Sequence, residues 1–240
     1  MAELTGAARH RYVRQMFDRI AARYDRMNAL MTFGQFRHWQ RRAAEIAVPS
    51  VDARVALDVA TGTGAIAHDL ATLVPRVVGL DFSRPMLRAG IGRWGKGGGG
   101  IALVEGDALA LPFRENSFDA VTIGFGIRNI PDLAAALREM VRVVRPGGRV
   151  VCLELTRPQL PGVAPLFRGY FHGIVPLLGW LVAGDYTAYR YLPRSVDRFP
   201  DAEALRALFR DCGLVFPEYT LLNFGTIAIH WGTKPVKEDA

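Results

Sequence analysis

Two cysteines in 240 residues are too few for a disulfide framework. Cys152, in a strand-like run, and Cys212, near a helix end, also lack the Cys/His spacing of a metal site. Long apolar runs are missing as well. The charge-free stretch 170–184 is shorter than the roughly 17–25 residues a membrane-spanning helix requires, and His172, Pro176 and several glycines interrupt it. The opening residues carry no apolar signal-peptide core, because TGAARHRYVRQMF is polar, so the expected compartment is the cytoplasm. No Ser/Gly/Pro-rich linker divides the middle of the chain, and GKGGGG (95–100) reads as a short surface turn. One domain over 1–240 is therefore expected, with an N-terminal helical segment over 1–50 and an apolar helical insert over 158–200. Acidic residues are in the minority: 23 Asp and Glu stand against 30 Lys and Arg, for a net charge of +7. The imbalance is steepest in residues 1–50, where nine arginines face four acids. Such a field attracts anionic surfaces or ligands, or simply keeps a protein in solution. Without zinc-finger spacing, an RNP-like aromatic motif or a recognition helix, no nucleic-acid partner is expected.

What is present is a rhythm. Residues 8–23 and 34–47 place apolar side chains at helical spacing, and YDRMNALMTFG between them suits a loop or short helix packed over a cavity. From Arg54 onward, RVALDV, RVVGLD, IALVEG, FDAVTIGF and GRVVCLEL read as strands. AIAHDLATLV, SRPMLRAGI and DLAAALREMVRVV read as the helices between them. The alternation predicts an α/β fold with a mostly parallel sheet, helices on both faces, and ligands at the carboxyl ends of its strands. After the apolar insert, DAEALRALFRDCG predicts a helix capped by Asp201 and stopped at Gly213. LVFPEYTLL and TIAIHWGTK then follow without a helix between them, which predicts a terminal antiparallel hairpin.

DVATGTGAIA (58–67) sets Gly62 and Gly64 between a strand and a helix, the place where a backbone must approach a ligand closely. Counted from Gly62, the pattern is also G-x-G-x-x-A, with Asp81 closing the next strand 19 residues later, so the glycines alone suit a dinucleotide equally well. Three other features separate the two readings. Asp58, before the glycines, is a natural counter-charge for a sulfonium or ammonium but an unwelcome neighbour for a pyrophosphate. Asp107, read as closing the third strand, offers an acceptor for an adenine amino group. A second mononucleotide-binding half is lacking. Acids at three successive strand ends fit S-adenosylmethionine better than NAD. The plainer alternative is that these residues merely cap the helices that follow, a task Ser83 could also perform.

The sequence resembles the class I S-adenosylmethionine-dependent methyltransferases and, within them, the UbiE/MenG family of quinone-biosynthesis C-methyltransferases. The resemblance rests on YDRMNALMTFGQFRHWQRR, LDVATGTGAIA, GLDFSRPML, GDALALPFRENSFDAVTIGFGIRNIPD and ALREMVRVVRPGGRVVCLEL. It continues through YRYLPRSVDRFPD and FGTIAIHWGTKP and so covers nearly the whole chain. It implies a Rossmann-like fold with a seven-stranded sheet, and methylation of a ring carbon of a polyprenylated quinol with no metal. Demethylmenaquinol is the expected substrate. A ubiquinone-pathway benzoquinol, a small soluble phenol, and a noncatalytic scaffold role in a quinone-biosynthesis complex are the alternatives.

The expected cofactor residues are Asp58, Gly62, Thr63, Gly64, Asp81, Phe82, Asp107, Ala108 and Gly124, the last standing where many relatives have a hydroxyl. Arg128 and Asn129, in GFGIRNIPD, are expected to stabilise developing oxyanion charge. Since a guanidinium stays protonated, Tyr24 and Asp25 are the expected proton-orienting pair. A salt bridge securing the strand end is the competing reading of Arg128. The substrate set is Met27, Asn28, Phe33, His38, Phe167, Phe171, His172 and Trp180, with 1–50 as a cap and 158–200 as the wall of a prenyl channel. His38 and His172 are also weaker base candidates. The expected partners are the quinol, a transiently contacted membrane surface at the inner face of the cell membrane, and a second copy or a biosynthetic complex.

Overall fold

The computed structural model describes residues 6–94, 100–158, 160, 162–183 and 186–236. The Gly-rich turn at 95–99 and a few residues of the insert (159, 161, 184 and 185) thus lie outside the described residues.

Alternation along the strands separates two cores. In β4 (Phe118–Gly124), Val121 and Ile123 join one buried cluster while Ala120 joins another. In β5 (Val144–Leu155), Val150 and Cys152 join the first cluster, Val151 and Leu153 the second. Side chains on a strand point alternately to opposite faces, so one sheet carries both cores. The first is closed by α6 (Leu133–Val143) and α10 (Ala202–Asp211), the second by α3 (Phe36–Ala47) and α4 (Ala65–Leu70). The expected helix signals operate: Asp201 accepts from the Ala204 N–H at 2.9 Å, and Gly213 takes φ +94°.

The remaining strands are β1 (Val55–Val59), β2 (Arg76–Asp81), β3 (Ile101–Glu105), β6 (Val215–Leu222) and β7 (Ile227–Thr233). Their order is β3-β2-β1-β4-β5-β7-β6. Strands β1 to β5 pair in parallel, whereas β7 runs antiparallel to both β5 and β6. The expected mostly parallel sheet with a terminal hairpin is therefore present. Between β1 and β4 the chain reverses its direction of travel across the sheet, and the crevice outside those strand ends is where such sheets bind ligands.

A third core roofs that crevice. The N-terminal helices α1 (Gly6–Ile20) and α2 (Tyr24–Met31) bury Met16, Ile20 and Met27 against Phe171, Val175, Tyr189 and Val196 of the insert. The insert is a chain of short helical pieces: α7 (Val163–Gly169), a wide turn at Tyr170–Ile174, α8 (Val175–Leu178), another wide turn at Gly179–Ala183, and α9 (Tyr186–Asp197). Gly179 permits the tight approach of α9, since a Cβ there would lie 2.3 Å from the Tyr189 ring.

Candidate active site

Two cavities meet at the switch point. The first, about 700 Å³ counted to its open mouth, is walled by Ala60 and Gly62 after β1, Asp81 and Phe82 after β2, and Gly106 to Ala108 after β3. Gly124 to Gly126 after β4 complete its floor, and Val13, Phe17 and Tyr24 cover it from the cap. The second, about 1260 Å³, lies between the cap and the insert and is walled mainly by apolar and aromatic side chains. Phe17, Tyr24, Phe125 and Asn129 stand in both walls. Two of the wall residues, Ala60 (φ +52°) and Phe125 (φ +55°), adopt the left-handed conformation that side chains resist, one at the end of each central strand. Strain of this kind collects where a site dictates the backbone path.

The first cavity fits an adenosyl group joined to a sulfonium amino acid. Gly62 takes φ +57°, and a Cβ built on it meets nothing within 4 Å, so the glycine loop leaves the room a ligand would fill. Asp81 accepts from the Gly62 and Ser83 N–H groups, each at 2.8 Å, and its burial pushes its pKa up to about 6. These two amides and the nearby Asp18 set the remaining balance. The carboxylate at that position is suited to ribose hydroxyls. Both amide atoms of Asn129 are buried without a hydrogen-bond partner, at the junction with the second cavity. An orphaned carboxamide implies a missing partner. Among the described residues no cluster of three or more His, Cys, Asp or Glu could hold a metal ion.

The structure brings part of the expected cofactor set into this cavity and turns part of it away. Gly62, Asp81, Phe82, Asp107, Ala108 and Gly124 line the wall; Asp58, Thr63 and Gly64 do not. Asp58 is a correction to the idea of a directly facing counter-charge. It is 1 % exposed, and its two oxygens accept from Thr61 Oγ1 at 2.6 Å and Thr122 Oγ1 at 2.7 Å. Burial raises its pKa to about 7. It braces the turn beneath the ligand. Asp107 lies two residues beyond the end of β3 instead of closing it, and its Oδ1 accepts from the Leu109 N–H at 2.9 Å. Thr63 donates to Asp25 at 2.9 Å, and its carbonyl accepts from Trp94 Nε1 at 2.9 Å.

That bond also relocates Asp25. Adjacent helix positions point about 100° apart, so while Tyr24 faces both cavities, Asp25 faces the glycine loop, paired with Thr63 and with Arg93 at 2.5 Å. Burial pushes the Tyr24 phenol up to about 12, with nearby Arg128 opposing the shift, so it is a hydrogen-bond donor at neutral pH and not a base.

Arg128 lines the second cavity and is itself buried. Its guanidinium forms an ion pair with Glu154, donates to the Phe125 carbonyl at 2.7 Å, and reaches Ser195 Oγ at 3.3 Å. Arg128 thus forms the strand-end ion pair and also stands in the cavity wall. Glu154 was not anticipated, although an acid inside the apolar strand run VVCLEL is a legible anomaly. Burial raises its pKa while Arg128 opposes that shift. Ser195 left no comparable signal in the sequence.

Of the expected substrate residues, Asn28, Phe33, Phe167 and Phe171 line the second cavity. Met27 is instead wholly buried in the cap core. His38 is exposed, because α3 buries the opposite face bearing Phe36, Trp39 and Ala43. His172 turns outward to Asp197, 3.4 Å away, in a separate small cavity. Trp180 is 58 % exposed, outside the large cavity.

A parallel sheet with this order and hairpin, opening onto a glycine loop and a strand-end acid, defines a class I S-adenosylmethionine-dependent methyltransferase. In agreement, a SAM-dependent methyltransferase from Thermotoga maritima, a possible histamine N-methyltransferase, superposes with a TM-score of 0.67 over 92 % of this chain and 99 % of its own, at 20 % identity. The likeness to that structure concerns the fold alone. The family is settled by sequence: the model of the ubiE/COQ5 methyltransferase family matches residues 5–234, and the chain belongs to that family. A Thermus thermophilus protein named demethylmenaquinone methyltransferase is 46 % identical, over 92 % of this chain and all of its own. A Desulfotalea psychrophila protein named ubiquinone/menaquinone biosynthesis C-methyltransferase is 45 % identical, over 92 % of this chain and 90 % of its own.

Proposed function

We propose that the protein methylates a ring carbon of a polyprenylated quinol, converting demethylmenaquinol to menaquinol. The observation that carries the reading is the pair of cavities sharing Tyr24, Phe125 and Asn129: one polar-ended and suited to the cofactor, one large and aromatic. The names of the relatives in Thermus and Desulfotalea support the substrate class.

When bound, S-adenosylmethionine supplies an electrophilic methyl group whose leaving group is already cationic. Asp81, oriented by the Gly62 and Ser83 amides, would meet its ribose hydroxyls, with Phe82, Asp107 and Ala108 around the base. The protein's remaining task is to make a ring carbon nucleophilic and align it. Loss of a quinol hydroxyl proton drives electron density onto the adjacent carbon, and Arg128 with Asn129 favours that anion. Glu154 and Ser195 hold the guanidinium in place, so little reorganisation accompanies charge development. Neither Arg128 nor the Tyr24 phenol accepts the proton. After methyl transfer the ring carbon loses its own proton, aromaticity returns and the ring oxygen is reprotonated, so each turnover releases one proton overall.

A prenyl tail adds roughly 0.8 kcal/mol for each CH₂ removed from water, and the second cavity leads it toward an exposed apolar rim. Phe33 of the cavity wall is exposed, as are Leu166, Ile174, Leu177, Trp180 and Leu181 of the insert, and we assign these side chains to that rim. We assign the rim to reversible contact with an anionic bilayer, with exposed Arg168 beside it.

The test is turnover of prenylated demethylmenaquinol, its tail-free analogue and the benzoquinol counterpart. Efficient methylation of the first and poor use of the second is the expected result. Cofactor binding without methylation of any quinol would overturn the reading.

A further inference from the structure

A quinol has two ring oxygens, and the groups discussed so far serve one of them. The large cavity contains another buried polar atom without a partner, the phenolic oxygen of Tyr191 on α9. Its ring faces Tyr12 of the cap at 6.0 Å and sits among apolar wall residues, Leu192 included. For packing alone a phenylalanine would serve better, because a buried hydroxyl without a partner is unfavourable.

Position gives that hydroxyl a use. Tyr191 and Ser195 stand four residues apart on α9 and hence on one helix face. Ser195 Oγ contacts Arg128 Nε at 3.3 Å. Tyr191 is thereby set about one helical turn, ~5.4 Å along the axis, from Ser195, which touches Arg128. The para oxygens of a hydroquinone ring are separated by a similar distance. On α2 the same offset relates Tyr24 to Asn28, whose amide nitrogen is also buried without a partner in this cavity wall.

We infer that Tyr191 binds the second ring oxygen, the one remote from the methylated carbon, and so selects 1,4-dioxygenated rings over mono-oxygenated ones. The inference rests on the quinol reading of the site. It gives α9 two duties one turn apart, with Ser195 positioning Arg128 and Tyr191 touching substrate.

The experiment compares wild type and Y191F on two substrates. One is prenylated demethylmenaquinol. The other is the matching prenylated naphthol, which keeps the hydroxyl beside the methylated carbon and carries hydrogen in place of the remote one. Wild type should favour the quinol by about 10-fold or more in kcat/KM. Y191F should lose about 5- to 10-fold on the quinol and nothing on the naphthol, which erases the preference. S-adenosylhomocysteine affinity should stay unchanged, and Tm should hold or rise, because the unpartnered hydroxyl is gone. A preference retained by Y191F overturns the inference while leaving the quinol reading intact. If Y191F folds poorly, wild type alone still decides, because equal use of both substrates overturns the inference. Methylation of neither compound by wild type is a different outcome and removes the quinol reading itself.

Discussion

At the scale of single residues, burial sets the chemistry of this site more than proximity of opposite charge does. Asp58 and Asp81 close neighbouring strands, and both carboxyls are raised, to about 7 and about 6, chiefly because water is excluded. For Asp58 the stability consequence has a definite sign. The folded carboxyl holds its proton up to about pH 7, whereas the unfolded one releases it near 3.8. The contribution to stability is fully present below 3.8 and is lost as pH rises through 7. D58N keeps a side chain that can bond Thr61 and Thr122 and carries no charge. It should raise Tm at pH 8 by roughly 2–8 °C and leave Tm near pH 4 almost unchanged. A D58N melting curve that tracks wild type at both pH values, or falls below it at pH 8, would show that Asp58 is ionised without penalty. The sequence displayed Asp58 as an acid before a glycine loop. Which way its oxygens turned depended on Thr122, 64 residues later and on the adjacent strand.

At the scale of elements, the cap is latched. Three side chains of the first two helices reach the loops after three strands: Arg14 to Glu105 at 2.8 Å, Asp18 to Ser83 at 2.5 Å, and Asp25 to Thr63 and Arg93. Val13, Phe17 and Tyr24, on the same segment, cover the first cavity. A ligand in that cavity therefore lies beneath the latched segment. The bonds are part-exposed and individually weak, so the latch can open without unfolding the sheet. D25A should speed dissociation of S-adenosylhomocysteine by about 5- to 20-fold, with its association rate and the protein's Tm little altered. Stopped-flow fluorescence measures both rates, and an unchanged dissociation rate would refute the latch. YDRMN was legible as a segment over a cavity. Its helical phase, which aims Tyr24 inward and Asp25 at the glycine loop, emerged only from the packing of Met27 into the cap core.

At the scale of the whole molecule, the exposed apolar rim is the feature a soluble substrate would not explain. Phe33, in the wall of the large aromatic cavity, is 84 % exposed, and Trp180 of the insert is 58 % exposed. No helix among the described residues is long and apolar enough to cross a membrane. Contact at the surface fits both facts, and the +7 net charge would favour anionic lipid. Replacing Trp180 and Leu181 together with serine should reduce co-sedimentation with anionic vesicles about 10-fold or more. Turnover of a short-chain, detergent-dispersed quinol should stay near wild type. Equal sedimentation of both proteins would remove the rim from membrane contact. Segment 158–200 was expected to wall a channel, and its composition could not distinguish lining side chains from exposed ones such as Trp180, since both are apolar.

The sequence by itself determined the layered sheet, its parallel order and its closing hairpin, because strand and helix periods, glycine positions and caps are local properties that need no distant partner. It also marked where ligands gather, since a glycine loop and strand-end acids recur at one end of such a sheet. Only the tertiary structure decided what each polar group faces. Arg128 meets Glu154 across 26 residues and Ser195 across 67. Asp25 meets Thr63 across 38, and Tyr191 enters the cavity from a helix whose local sequence gives no hint of it. The direction of a buried charge depends on which partner is near enough to replace water, and nearness of that kind arises only when distant segments pack together.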